Sequence, residues 1–236
     1  MTAESVKEQL LSFGNPQKAK HSNCFFKTGK GQYGEGDRFI GSTVPETRKV
    51  AKANKNLSFD ELEKLLGDGY HECRFCALII LIEQFKKACH KGRKEIFEFY
   101  LDHTHGVNNW DLVDVSAYSI AGEWLLDKDR AVLYQLACSE NLWEQRIAVI
   151  STLAFIRKKD FTDTLKLAEK FLTHRHDLMH KACGWMLREV GKRDEKTLTG
   201  FLEVHYTEMP RTMLRYAIEK LSPEQKKKYM MREVRN

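Results

Sequence analysis

Apolar residues recur at intervals of three and four along almost the whole 236-residue chain, while the polar/apolar alternation and Gly/Asn turns that strands need are missing. That pattern predicts an all-α fold. Only four prolines occur, and three of them start amphipathic runs: Pro45, Pro210, and Pro223, which follows Ser222 in a capping box. Ser58-Phe59-Asp60-Glu61 is a second box of that kind. The expected helices are 3–13, 45–55, 59–67, 71–89, 92–104, 108–126, 129–138, 141–158, 161–173, 176–192, 195–208, 211–221 and 223–232.

Five of these segments align on a charged residue followed by small and apolar ones. The charged positions are Arg74, Asp114, Arg146, Lys181 and Arg215, separated by 40, 32, 35 and 34 residues. Two helices per unit at such a period predict an α-solenoid of HEAT-like repeats, a single domain over 1–236, with 1–44 a variable N-terminal helix and Gly-rich loop. In that fold the second helix of each pair lines a concave face, and the five charged residues form a column across it.

A 42% hydrophobic content excludes a disordered chain, and no apolar stretch is long enough to span a bilayer. The first residues lead into no signal-type apolar run, which predicts a cytoplasmic protein. The six cysteines lack tight disulfide spacing and read as small buried hydrophobes in a reducing compartment. The net charge is only +6, but it is unevenly placed: residues 154–193 hold ten Lys/Arg against five Asp/Glu, and 211–236 hold eight against three. The C-terminal third is therefore the expected phosphate-binding surface. Within it Trp185 shares a helix face with Lys181, Arg188, Lys192 and Glu189, where an indole suits stacking on a nucleotide better than core packing. Arg146, among Leu142, Val149, Ile150 and Leu153, needs a carboxylate such as Asp114 or an anionic ligand. Trp110 and Asp114, one turn apart, present an indole and a carboxylate together.

The segments Asn109-Trp110-Asp111-Leu112-Val113-Asp114, Asn141-Leu142-Trp143-Glu144-Gln145-Arg146 and Lys181-Ala182-Cys183-Gly184-Trp185-Met186-Leu187-Arg188-Glu189 resemble, in order, three motifs of the AlkD-type DNA alkylation repair glycosylases. Phe39-Ile40-Gly41-Ser42-Thr43-Val44-Pro45-Glu46-Thr47-Arg48 is similar to that family's N-terminal element. The resemblance runs from about Phe39 to Leu221. It implies a HEAT-like solenoid that grips duplex DNA on a concave basic face, acts as a monomer without metal or cofactor, and releases cationic N3- or N7-alkylated purines without rotating them out of the duplex. It assigns Asp114 as the catalytic carboxylate, Trp110 and Trp185 as aromatic walls around the damaged nucleotide, and Arg146 as a phosphate or backbone contact. The clustered basic charge itself predicts Lys181, Arg188 and Arg215 as further DNA-binding cations. An alternative is a non-catalytic HEAT-like protein that binds damaged or branched DNA.

The chain departs from that pattern at Thr43, where excising members carry Gln, and a shorter side chain there lowers activity or shifts lesion choice. Tyr33 aligns with a DNA-facing tyrosine of the family, inside the divergent loop Gly29–Asp37. Gly29-x-Gly31-x-x-Gly34 has no preceding strand and reads as a flexible loop rather than a dinucleotide site. Cys73-x-x-Cys76 lacks a second ligand pair for zinc, and His103, His105, His174, His176 and His180 read as loop and helix-end residues.

Overall fold

The computed structural model describes residues 1–231, so the last residue of the expected helix 223–232 and the charges of Arg232, Glu233 and Arg235 lie outside the described residues. The secondary structure of the described residues is all helical, without strands, and the helices pack in the repeat-like arrangement of an α-solenoid. They form two compact units, one over Met1–Trp124 and one from Leu125 onward.

The first unit contains α1 (Ala3–Leu11), α2 (Pro16–Phe25), α3 (Val44–Ala53), α4 (Phe59–Leu66), α5 (His71–Lys87), α6 (His90–Asp102) and α7 (Trp110–Ser116). α5 is its axis. Cys76, Ala77, Leu78, Ile80 and Leu81 are fully buried there, and α3, α4 and α7 pack around it. Such a helix is apolar all round because it has neighbours all round.

The second unit contains α8 (Ala131–Ala137), α9 (Leu142–Ser151), α10 (Leu153–Arg157), α11 (Thr162–Lys170), α12 (Asp177–Gly191), α13 (Glu195–His205), α14 (Arg211–Ala217) and α15 (Pro223–Met230). α12 is central and packs on α9, α11, α13 and most extensively α14. At Gly184 a Cβ would lie 2.5 Å from the carbonyl oxygen of Met213 and 2.5 Å from Tyr216 Cβ, so the close approach of α14 depends on a missing side chain.

Four expectations are corrected. α2 was not foreseen; Asn15 caps it by accepting from the N–H groups of Gln17 and Lys18, with Pro16 at the first helical position. The helix expected over 108–126 ends at Ser116 and continues as a π-helical turn over Tyr118–Gly122. The helix expected over 141–158 is divided at Thr152, where the hydroxyls of Ser151 and Thr152 donate back to the carbonyls of Ile147 and Val149 and compete with the backbone ladder. Only Cys73, Cys76 and Cys183 are buried; Cys24, Cys89 and Cys138 are exposed thiols. No helix among the described residues is long and apolar enough to cross a membrane.

Candidate functional site

In the first unit, the start of α7 is built on a buried ionic network. Asn109, fully buried, accepts from the Trp110 N–H at 2.8 Å and donates to Asp37 Oδ2 at 3.3 Å. Asp111 accepts from the Leu112 N–H through Oδ1, while its Oδ2 lies 2.8 Å from His71 Nε2. His71 Nδ1 lies 3.2 Å from Asp37 Oδ2, and Arg74 donates to Asp37 Oδ1 at 2.5 Å. Burial opposes a charged imidazole, but the charge of Asp111 and hydrogen bonds to Asp111 and Asp37 outweigh it and push His71 up to about 9. Asp37 responds in the opposite sense: burial would raise its pKa, but the His71 bond and the Arg74 charge hold it below the usual carboxylate range.

Aromatic rings enclose this network. Phe39 stacks on His71 at 4.7 Å, Phe26 lies 4.9 Å from the same imidazole, and Phe26 also stacks on Trp110 at 5.4 Å with 21° between planes. Phe25, 56% exposed, meets the Trp110 indole edge-on. Trp110 is therefore a half-buried, oriented ring. Asp114, one helical turn later on the same face, is also half-buried. Burial pushes the Tyr100 hydroxyl pKa up, its Ser116 bond opposes this, and the Asp114 charge adds to the rise.

Thr43 caps α3, with its N–H and hydroxyl both donating to Glu46 Oε2 at 2.6 Å. It also lines a cavity of about 460 Å³ between α2 and the start of α5, whose walls include Phe26, Phe39, Phe75, Glu72 and Asp111. Gly41 forms part of this wall with φ +85°, where an added Cβ would lie 2.2 Å from the Asn15 carbonyl. Tyr33, half-buried, donates its hydroxyl to the Phe25 carbonyl at 3.4 Å.

In the second unit, Trp185 is half-buried on α12 between Lys181 and Arg188. The neighbouring cations have acidic partners: Lys181 with Asp177 at 2.8 Å, Arg188 with Glu219, Lys192 with Glu189 at 2.5 Å, and Arg193 with Glu189 at 3.0 Å. Arg215 is exposed. Arg146 is only 4% exposed and donates to the Leu178 carbonyl at 2.5 Å, so a main-chain acceptor at the start of α12 meets part of the need that the sequence assigned to a carboxylate or anion.

The expected column of charge is corrected accordingly. Arg74 and Arg146 are buried, Asp114 and Lys181 are half-buried and Arg215 is exposed, so the repeated phase does not put the five charges in one solvent-facing row. Among the described residues no group of three or more His, Cys, Asp or Glu side chains is arranged to hold a metal ion. The ring nitrogens of His174 and His180 meet Gln145 Oε1 and the His174 carbonyl.

A family model described as DNA alkylation repair enzyme matches residues 6–221. The chain belongs to that family. Membership supports a role in the repair of alkylated DNA. The fold is also that of a solved structure of a predicted DNA alkylation repair enzyme from Enterococcus faecalis, with a TM-score of 0.69 and 16% identity over 89% of this chain and 97% of that one. No curated protein matches the chain. Sequence reasoning had missed Asp37, His71, Asp111 and the α2 rings Phe25 and Phe26, and had placed Arg74 in the column of charge rather than in this buried network. The Asn15-Pro16 capping signal was present for the helix; the network residues are brought together only by tertiary folding.

Proposed function

We propose that this protein is a monofunctional DNA glycosylase that hydrolyses the N-glycosidic bond of N3- or N7-alkylated purines in duplex DNA. The observation that carries the reading is the pairing on α7 of an oriented indole, Trp110, with a half-buried carboxylate one turn away, Asp114, in a chain of the DNA alkylation repair family.

Alkylation at N3 or N7 makes the base cationic, so it departs with the glycosidic electron pair as a neutral molecule and needs no general acid. What remains is the positive charge that develops on the sugar. The Asp114 carboxylate offsets that charge at C1′ and accepts the proton of the water that adds there; the Trp110 face favours the same cationic character. Trp185 is assigned to aromatic contact with the damaged strand, and Lys181, Arg188 and Arg215 to phosphates. In this reading the protein acts as a monomer without a cofactor, in the cytoplasm and on the nucleoid, and the lesion remains in the duplex while the sugar reacts.

The deciding experiment is incubation with duplex DNA carrying N7-methylguanine or N3-methyladenine, followed by detection of free base above the spontaneous depurination rate. Tight binding to the lesion without release would instead identify a non-catalytic damage-binding protein.

A further inference from the structure

His71 meets a carboxylate at each ring nitrogen, Asp111 at Nε2 and Asp37 at Nδ1, and its side chain is only 4% exposed. An ionised carboxylate accepts hydrogen bonds and does not donate, so both contacts are hydrogen bonds only when both nitrogens carry hydrogen, as in the imidazolium. The neutral ring has one N–H and one lone pair, and either tautomer turns that lone pair on one of the two carboxylates.

The groups around the ring decide its state. Asp37 is shared with Arg74 on α5 and with Asn109 ahead of α7, and Asp111 belongs to the first turn of α7. Glu72, the next residue of α5, is held by the N–H groups of Ile40 and Gly41. From α2, Lys18 and His21 line the same cavity as His71, but both are exposed, and Phe26 faces the ring itself. Burial and the Arg74 charge oppose protonation, the two carboxylates favour it, and the balance stands at about 9.

Two routes lead from this ring to Trp110. Along hydrogen bonds, Asp111 accepts from the Leu112 N–H, and Asp37 accepts from Asn109, which in turn accepts from the Trp110 N–H. Along rings, Phe26 lies 4.9 Å from the imidazole and stacks on the Trp110 indole at 5.4 Å. Loss of the imidazole proton releases one carboxylate, and each of the two is bonded to the start of α7, where Trp110 stands one turn before Asp114.

We infer that His71 is a positioning residue for base release: doubly protonated, it fixes Trp110 and Asp114 in the arrangement that stabilises the sugar cation, from a buried position behind them. The effect on rate rests on the glycosylase reading; the effect on Trp110 does not.

The test follows single-turnover release of N3-methyladenine from duplex DNA between about pH 7 and 10, with protein in saturating excess and rates normalised to spontaneous depurination. The wild-type rate should fall as pH rises through about 9. His71→Gln should be at least about tenfold slower at neutral pH and lack this limb, with duplex affinity within about twofold of the wild type. Asp111→Asn withdraws one of the charges that hold the proton, so its limb should move about one unit or more to lower pH. In parallel, the fluorine resonance of fluorotryptophan at position 110, identified by its loss in Trp110→Phe, should titrate through the same pH in the wild type and stay fixed in His71→Gln. Should His71→Gln fail to melt cooperatively, the displaced limb of Asp111→Asn and the wild-type resonance carry the test. A flat wild-type profile, a limb that persists in His71→Gln, or rate and affinity that fall together in the variant overturns the positioning role. Base release with a Trp110 resonance indifferent to His71 overturns that role alone, whereas a resonance that follows His71 in a protein releasing no base overturns the glycosylase reading alone.

Discussion

His71 Nε2 lies 2.8 Å from Asp111 Oδ2, which ties the first turn of α5 to the first turn of α7, forty residues later in the chain. Because the other imidazole nitrogen faces Asp37, the ring holds its proton on folding, and Trp110 and Asp114 sit on a helix whose start is fixed by charge.

This coupling predicts a specific pH dependence. The folded pKa of His71, about 9, lies above the ordinary value of 6.5, so its contribution to stability is fully present below pH 6.5 and is lost as pH rises through 9. The contribution is up to about 3 kcal/mol. The wild-type melting temperature, measured against that of His71→Gln, should therefore converge on the variant's between pH 6.5 and 9. A gap of constant size across that range would show that the imidazole is not charged in the fold.

Replacing Asp114 by Asn retains the shape and removes the charge. Base release should fall by at least about tenfold, equivalent to roughly 1.4 kcal/mol of barrier, while DNA affinity stays level or rises as repulsion of phosphate is lost. Single-turnover rates on N7-methylguanine duplex, compared with binding isotherms, separate the two effects; a wild-type rate would remove Asp114 from the chemistry.

On α12 and α14, ion pairing sets an order among the cations. Exposed Arg215 should contribute about one unit to the slope of log affinity against log salt, and Arg215→Ala should lose it for intact and lesioned duplex alike. Arg188 is held by Glu219, so Glu219→Gln should strengthen DNA binding, whereas Arg188→Ala should cost less than Arg215→Ala. Filter binding at several salt concentrations reads both, and an unchanged slope in the Lys181/Arg188/Arg215 triple alanine variant would place the DNA elsewhere.

Arg146 should behave as a brace. Arg146→Ala leaves the Leu178 carbonyl without this donor and should cost about 1–3 kcal/mol of stability, a fall of about 2–4 °C in Tm for each kcal/mol. Its salt slope should match the wild type. A loss of about one unit would show that the guanidinium reaches a phosphate.

Most of the helical framework could be read from the sequence because each long helix repeats its buried face at a spacing of three or four, as Leu78, Leu81 and Phe85 do on α5. α2 escaped that reading because none of its side chains is buried, which leaves no apolar period to detect; only its cap and proline announced it. Trp110 and Asp114 were legible through i,i+4 spacing on one helix, and Trp185 through its charged neighbours. The residues behind them were not: Asp37, His71 and Asp111 lie 34 and 40 residues apart, and their common network comes from the pairing of Arg38 with the main chain around Tyr70 and from the packing of α7 on α5. Spacing along the chain likewise could not distinguish buried Arg146 from exposed Arg215, since both occupy the same phase of their helices.

That α2 buries no side chain also sets a hierarchy of opening within the first unit. A segment held by a polar cap and by the rings at its C-terminal end separates from the remainder at little cost, whereas the backbone of α5 is released only when the whole unit comes apart. Amide hydrogens of residues 19–25 should thus exchange with deuterium orders of magnitude faster than those of residues 76–82, and the rings that cover Trp110 belong to the faster class.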